Sequence, residues 1–189
     1  MSTPVAGTAA STRTPTLVGL VTDRAAEHPD LVAMRVKRLG IWQDITWSDY
    51  ADHVSLVGHA LLALGIGPAD RVAIHSENRP ERLLSYLATI AVRGITVGLY
   101  PTKPPAEVAY LLRDSGSRIL IAEDQEQVDK ALEVESECPD LEHIVYLEPR
   151  GVASMEHPKL MSWADLVERG RAHRETHPHA LATLADQAR

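Results

Sequence analysis

The sequence predicts an α/β fold: a mostly parallel sheet with helices packed on it, preceded by a β-hairpin. Two observations predict it. From Arg71 to Glu148, apolar runs of strand length alternate with amphipathic helical segments. Ahead of them, two alternating apolar/polar runs flank Gly40. Three consecutive strand–helix–strand steps require parallel pairing, because each crossover returns the chain to the same end of the sheet, almost always with right-handed sense.

Each element has its own signal. "TLVGLVTDRAAEHPD", from Thr16 to Asp30, spaces Leu17, Leu20, Val21 and Ala25 as a helix that His28-Pro29 ends. "LVAMRVK" and "IWQDITW" are the hairpin strands, with "RLG" as the turn. Thr46 and Asp49 have capping-box spacing before a helix over about Ser48 to Leu64, whose apolar stripe is Val54, Val57, Leu61, Leu62 and Leu64. "RVAIHS" is a buried strand. Pro80 opens a helix carrying Leu83, Leu84, Leu87, Ile90 and Ala91, and "ITVGLY" is the next strand. Pro105 opens another helix, with Val108, Leu111 and Leu112, which Ser115-Gly116 ends. "RILIAE", a helix over roughly Gln125 to Glu137, and "HIVYLE" from His143 to Glu148 complete the alternation. Ser162 and Asp165 then cap a helix expected to run to about Ala172.

Composition narrows the function. The 189 residues carry a formal charge of −7, and no cluster of Lys and Arg offsets it, so nucleic acid is not expected as a partner. Residues 1–15, "MSTPVAGTAASTRTP", lack an apolar core and are expected to be a flexible tail rather than a secretory signal. "ALLALGIG", the apolar run from Ala60 to Gly67, is too short to span a bilayer, so no transmembrane segment is expected. The only cysteine is Cys138, which excludes an intrachain disulfide and fits a cytoplasmic location; it is read as a structural thiol rather than a nucleophile.

An open parallel sheet binds ligands outside the C-terminal ends of its strands, here the loops "ENRPE", "PTKPPAE", "DQEQ" and "PRGVASMEHPK". "GIGPAD" lacks the third glycine of a dinucleotide fingerprint and follows a helix. No Gly-Lys pair, Gly-x-Ser-x-Gly elbow or His-Glu-x-x-His helix occurs. Asn78, Arg79 and Glu81 could grip a carboxylate or phosphate through Arg79, but a turn that caps the helix begun by Pro80 is the favoured reading. His173, Glu175, His177 and His179 in "HRETHPH" could gather round zinc; with Pro178 among them, an exposed polar stretch is favoured. No catalytic, cofactor-binding or metal residue is therefore assigned.

The stretches "ITWSDY", "LGIGPADRVAIHSENRPE", "YPTKPPAEVAYLLRDSGSRILIAED" and "VYLEPRG", in that order and spacing, resemble the N-terminal region of the AMP-forming acyl-CoA synthetases. The long-chain fatty acid–CoA ligase branch is the most similar, from about Pro15 to the end. Arg82 and Leu83 stand where many relatives carry Trp, and Gly98 replaces a frequent Pro. The resemblance implies an enzyme that joins a fatty acid to AMP, using ATP and Mg²⁺, and passes the acyl group to coenzyme A. It also implies that residues 16–189 are the N-terminal α/β part of the AMP-binding domain, ending before the phosphate loop and the catalytic Lys, so that the chain alone is inactive. Arg79, Glu81 and Lys103 then have no activity to lose. Two alternatives stand beside this: a non-catalytic module that binds a partner or an acyl chain, and a fragment of a fatty acyl-AMP ligase. A sheet lacking the family's later layers is expected to expose a strand edge or apolar face and to self-associate.

Overall fold

The structure, a computed structural model, describes residues 16–187; the expected tail, residues 1–15, lies outside them. Helix α1 (Leu17–Glu27) is capped by the Thr16 hydroxyl, which accepts the Gly19 N–H. The hairpin strands β1 (Val32–Arg38) and β2 (Ile41–Thr46) pair antiparallel around Leu39 and Gly40. Both turn residues have positive φ, +49° and +82°, as a two-residue hairpin turn demands. Thr46 and Asp49 form the reciprocal capping box: the Thr46 hydroxyl accepts the Asp49 N–H and the Asp49 carboxylate accepts the Thr46 N–H, opening α2 (Trp47–Ala63).

The main sheet comprises β3 (Arg71–His75), β4 (Ile95–Leu99), β5 (Ile119–Ala122), β6 (His143–Tyr146) and β7 (Leu160–Ser162), all parallel, in the order β4-β3-β5-β6-β7. Between them run α3 (Pro80–Ala91), α4 (Pro105–Ser115) and α5 (Gln125–Val134); α6 (Trp163–Thr176) and α7 (Ala180–Asp186) follow. The α/β fold class and the hairpin are as the sequence predicts. Gly116, at φ +61°, ends α4 in the left-handed conformation that favours glycine. Three differences have local causes. The segment after α5 tightens into a 3₁₀ turn over Glu135–Glu137. Strand β7 is only three residues long and carries no periodic signal. Helix α6 runs to Thr176, beyond the expected Ala172, because Pro178 forces out of the helical region only the residue directly before it, His177, which is the C-cap.

Each face of the sheet has its own core. On one, Val108 and Leu112 of α4 and Val128 and Ala131 of α5 pack over Ala73, Leu120 and Ile144. On the other, Val57 and Leu61 of α2, Ala88 of α3 and Leu166 of α6 pack over Val72, Ile74, Ile119, Ile121 and Val145. Strands β3 and β5 are buried on both faces. Strand β4 is the sheet edge: Ile95 is 51% exposed, so "ITVGLY" is not covered like its neighbours. At the opposite end of the strands, Arg118 donates to both carboxylate oxygens of Glu142 at 2.8 and 2.9 Å, to the Gly65 carbonyl at 2.8 Å and to Asp70 at 3.0 Å. That one guanidinium ties the entries to β3, β5 and β6 together.

Helices α2 and α6 cross with their backbones nearly touching, which Gly170 permits: a β-carbon there would lie 2.0 Å from the Leu56 carbonyl oxygen. Backbone cannot yield as a side-chain tip can. Gly170→Ala is therefore expected to destabilise the fold by about 3 kcal/mol, read as a lowered urea midpoint.

Candidate functional site

The chain leaves β3 for β4 through α3 on one face, and leaves β5 for β6 through α5 on the other. The crossovers that leave these two neighbouring strands thus depart in opposite directions, which makes the crevice above β3 and β5 the topological switch point. Two of the anticipated loops, those after β3 and β5, meet around it.

Glu123, just past β5, accepts the Glu77 N–H at 2.6 Å and the Ser76 hydroxyl at 3.2 Å. Arg79 reaches the other Glu123 oxygen at 3.5 Å and donates to Glu81 at 2.9 Å. Glu81, only 7% exposed, also takes a 2.6 Å bond from Arg38 at the end of β1. Burial pushes the Glu81 carboxyl up, but the hydrogen bond from Arg79 and the charges of Arg79 and Arg38 outweigh it and hold the group below its ordinary value. Arg82 donates to the Ser76 carbonyl.

Arg79 is thus spent on two carboxylates and has no free fork for a phosphate or an acid. The capping reading also needs correction. Arg79 is the N-cap residue of α3, but its side chain makes no cap bond; Pro80 removes one unpaired N–H, and Glu81 sits in the first turn, where the helix dipole favours an acid. Sequence reasoning missed Glu123 and Arg38. Glu123 had a usable signal, an acid directly after the apolar strand "ILIA"; Arg38 had none, since 43 positions separate it from Glu81.

The other candidates resolve similarly. Lys103 pairs with Glu107 on the first turn of α4. Cys138 is buried with its thiol toward the Ala109 carbonyl at 3.8 Å; burial pushes the thiol up, away from the thiolate a nucleophile needs. His75 is fully buried at the end of β3, its Nε2 at 3.1 Å from the Tyr100 carbonyl and its Nδ1 without a partner. In "HRETHPH", His173 and His177 stack with ring centroids 4.5 Å apart, and His173 Nδ1 meets His59 Nδ1 at 3.0 Å. His59 comes from α2 and was invisible to local sequence reasoning. Among the described residues, no group of three His, Cys, Asp or Glu side chains is arranged to hold a metal ion.

Two clefts accompany the crevice. One, of about 290 Å³, lies between α3 and the β4 edge and is lined by Ile74, Arg82, Leu83, Tyr86, Thr96 and Gly98. The other, of about 320 Å³, is lined by Asp124, Gln125, Glu126, Glu148, Arg150 and Gly151. Its three acids against one arginine oppose a polyphosphate, and the first cleft offers a single cation already engaged with Ser76. The described residues therefore do not by themselves fit ATP, its Mg²⁺ or coenzyme A.

An open parallel sheet with its switch point above β3 and β5 is the architecture of a ligand-handling α/β domain. The chain belongs to the AMP-binding enzyme family, which it matches over residues 21–185. Among curated relatives, it is 30% identical over 144 residues to the long-chain-fatty-acid–CoA ligase ACSBG1 of Bos taurus, covering 76% of this chain and 20% of that protein. It is 27% identical over 169 residues to the long-chain-fatty-acid–CoA ligase FadD15 of Mycobacterium bovis, covering 87% and 28%. The chain thus spans about a fifth to a quarter of the length of these relatives. Among solved structures, the acetoacetyl-CoA synthetase from Streptomyces lividans shares the fold at a TM-score of 0.68 and 23% identity, over 79% of this chain and 24% of that one. The anthranilate CoA ligase AuaEII, solved with anthranoyl-AMP, matches at 0.64 and 25%, over 69% and 24%.

The histidine pair between α2 and α6 gives a measurable pH dependence. Desolvation, then the charges of His173, Arg174 and His177, push His59 down to about 4, and burial with His177 lowers His173 as well. The unfolded chain takes up a proton at His59 near pH 6.5, whereas the folded chain resists until about 4. Stability from this site is therefore fully present above about pH 6.5 and lost as the pH falls toward 4. Urea titrations across that window are expected to show a slope that His59→Gln reduces.

Proposed function

We propose that the chain is the N-terminal α/β part of an AMP-forming long-chain fatty acid–CoA ligase, and that it does not carry out adenylation alone. The family match over residues 21–185 carries this reading. Long-chain substrates are supported by the names of the ACSBG1 and FadD15 relatives. In the complete enzyme, fatty acid, ATP with Mg²⁺ and coenzyme A would be the reactants. In this reading residues 16–189 precede the phosphate loop, and the switch-point network is scaffolding: Glu123, Arg79 and Glu81 fix the loops after β3 and β5 and are engaged with one another rather than free to abstract a proton or hold a phosphate. A cytoplasmic setting is supported by the lone, buried Cys138 and by the lack, among the described residues, of a helix long and apolar enough to cross a membrane.

The purified chain is expected to show no fatty-acid-dependent ATP–pyrophosphate exchange; exchange above a protein-free blank would overturn the claim of inactivity. Reading the DNA that follows the codon for Arg189 tests the parentage. A phosphate-loop sequence there, in frame or shifted, is the expected result, and unrelated sequence refutes it.

The open β4 edge bears on the same reading. Its residues "ITVGL" include no charge or proline to deter pairing, and Leu83 and Tyr86 stand exposed beside it. In the proposed enzyme, later segments would cover this edge. The isolated chain is expected to bind a hydrophobic dye or to self-associate, and a dye-silent monomer with a sharp melt would contradict this.

A further inference from the structure

The cleft between α3 and the β4 edge is walled mainly by apolar side chains, and two polar groups that the fold leaves unused stand among them. Arg82 donates through Nη1 to the Ser76 carbonyl, but its guanidinium has no carboxylate partner among the described residues. The Thr96 hydroxyl is buried without any hydrogen-bond partner. We propose that this cleft binds a compact organic monocarboxylate, with the carboxylate on Arg82 and an aromatic or branched body against Ile74, Leu83 and Tyr86.

Charge gives the first argument. Arg38 and Arg79 converge on Glu81, and Arg79 also reaches Glu123, so the acids beside the start of α3 are committed to those two. Arg82, one position beyond Glu81, is left half-buried and without an acid, in a chain whose 26 acids outnumber its 19 bases. Its guanidinium keeps donors to spare after Ser76, and a carboxylate matches their planar fork. Space is the second argument. Thr96 pairs with Val72 and Gly98 with Ile74, so Thr96 and Gly98 share the face of the sheet on which α3 packs. A β-carbon at Gly98 would meet only Arg82 Nη2, at 3.8 Å, so it is the missing side chain that keeps the cleft open beside the guanidinium. The walls are the third. Leu83 and Tyr86, neighbours on one face of α3, are 48% and 41% exposed, and the buried Ile74 lies beneath. An apolar body removes these side chains from water, and a single cation among them selects a monoanion over a polyphosphate. A volume of about 290 Å³ admits about ten non-hydrogen atoms, taking for each the roughly 30 Å³ that a water molecule occupies in the liquid. A long straight-chain acid is therefore too large to be held within it. The site is built from this chain's own side chains, and its occupation does not depend on the ligase reading.

The full chain, labelled for nitrogen NMR, is titrated at constant ionic strength with hydrocinnamate, with its neutral amide and with acetate. Hydrocinnamate is expected to give saturable shifts of the Arg82, Thr96 and Gly98 amide signals, and both controls to bind about tenfold more weakly or less. Arg82→Gln is expected to weaken hydrocinnamate about tenfold, and Gly98→Leu to abolish its binding by filling the cleft. Gly98 is not among the glycines of positive φ, so a side chain there is not strained by the backbone. Lack of saturable shifts, equal affinity for hydrocinnamate and either control, or shifts that survive Gly98→Leu in a variant with the parent's urea midpoint would each overturn the proposal. If Gly98→Leu lowers that midpoint, Arg82→Gln decides, and unchanged affinity there overturns it. A dimer that Arg82→Gln dissociates, in a parent whose signals hydrocinnamate leaves unmoved, would overturn it in favour of a carboxylate from a second copy.

Discussion

A parallel sheet must be covered on both faces, and the rest of this structure follows from that. Parallel strands cannot be joined by tight turns, so each strand of the β3–β6 series is separated from the next by a helix, and the helices divide between the faces. Going from β3 to β4 over one face and from β5 to β6 over the other opens the crevice at the switch point. The same alternation leaves β4 outermost, because the chain must pass back across β3 to place β5. The crevice and the bare edge are therefore two results of one topological choice.

What fills the crevice is an electrostatic arrangement that is complete in itself. Glu123 collects donors from the loop after β3, Arg79 bridges it to Glu81, and Arg38 brings in the hairpin. Removing any one charge would leave a partly buried partner uncompensated, so the network fixes the spacing of three loops that the chain itself orders only locally.

Much of the fold was legible because its signals are local. Pro80, Pro105, the Thr46/Asp49 box and Gly116 each mark a boundary through the geometry of a few neighbouring residues. Strand order was not legible, since "ITVGLY" is if anything the more apolar sequence of the two, and only the packing makes "RVAIHS" central and "ITVGLY" peripheral. For the candidate site, the loops were foreseen and their bonding was not: of the two carboxylates that engage Arg79, Glu123 lies 44 residues away and gave no local sign of it. His59 and His173, 114 positions apart, escaped for the same reason. Periodicity reports which face a residue occupies and is silent about which distant residue will share it.

The order of the strands also sets a timetable for synthesis. Val72 pairs with Ile119, which the ribosome adds 47 residues later (119 − 72), so for about 2–9 s of translation β3 has no neighbour on its β5 side. During that interval one flank of the future centre of the sheet is an unpaired apolar strand, shielded by the hairpin, α1 and α2 made before it and by α3, β4 and α4 as each is added. The centre of the sheet is thus completed later than its β4 flank, and codons that slow the ribosome between Gly94 and Arg118 would lengthen that delay.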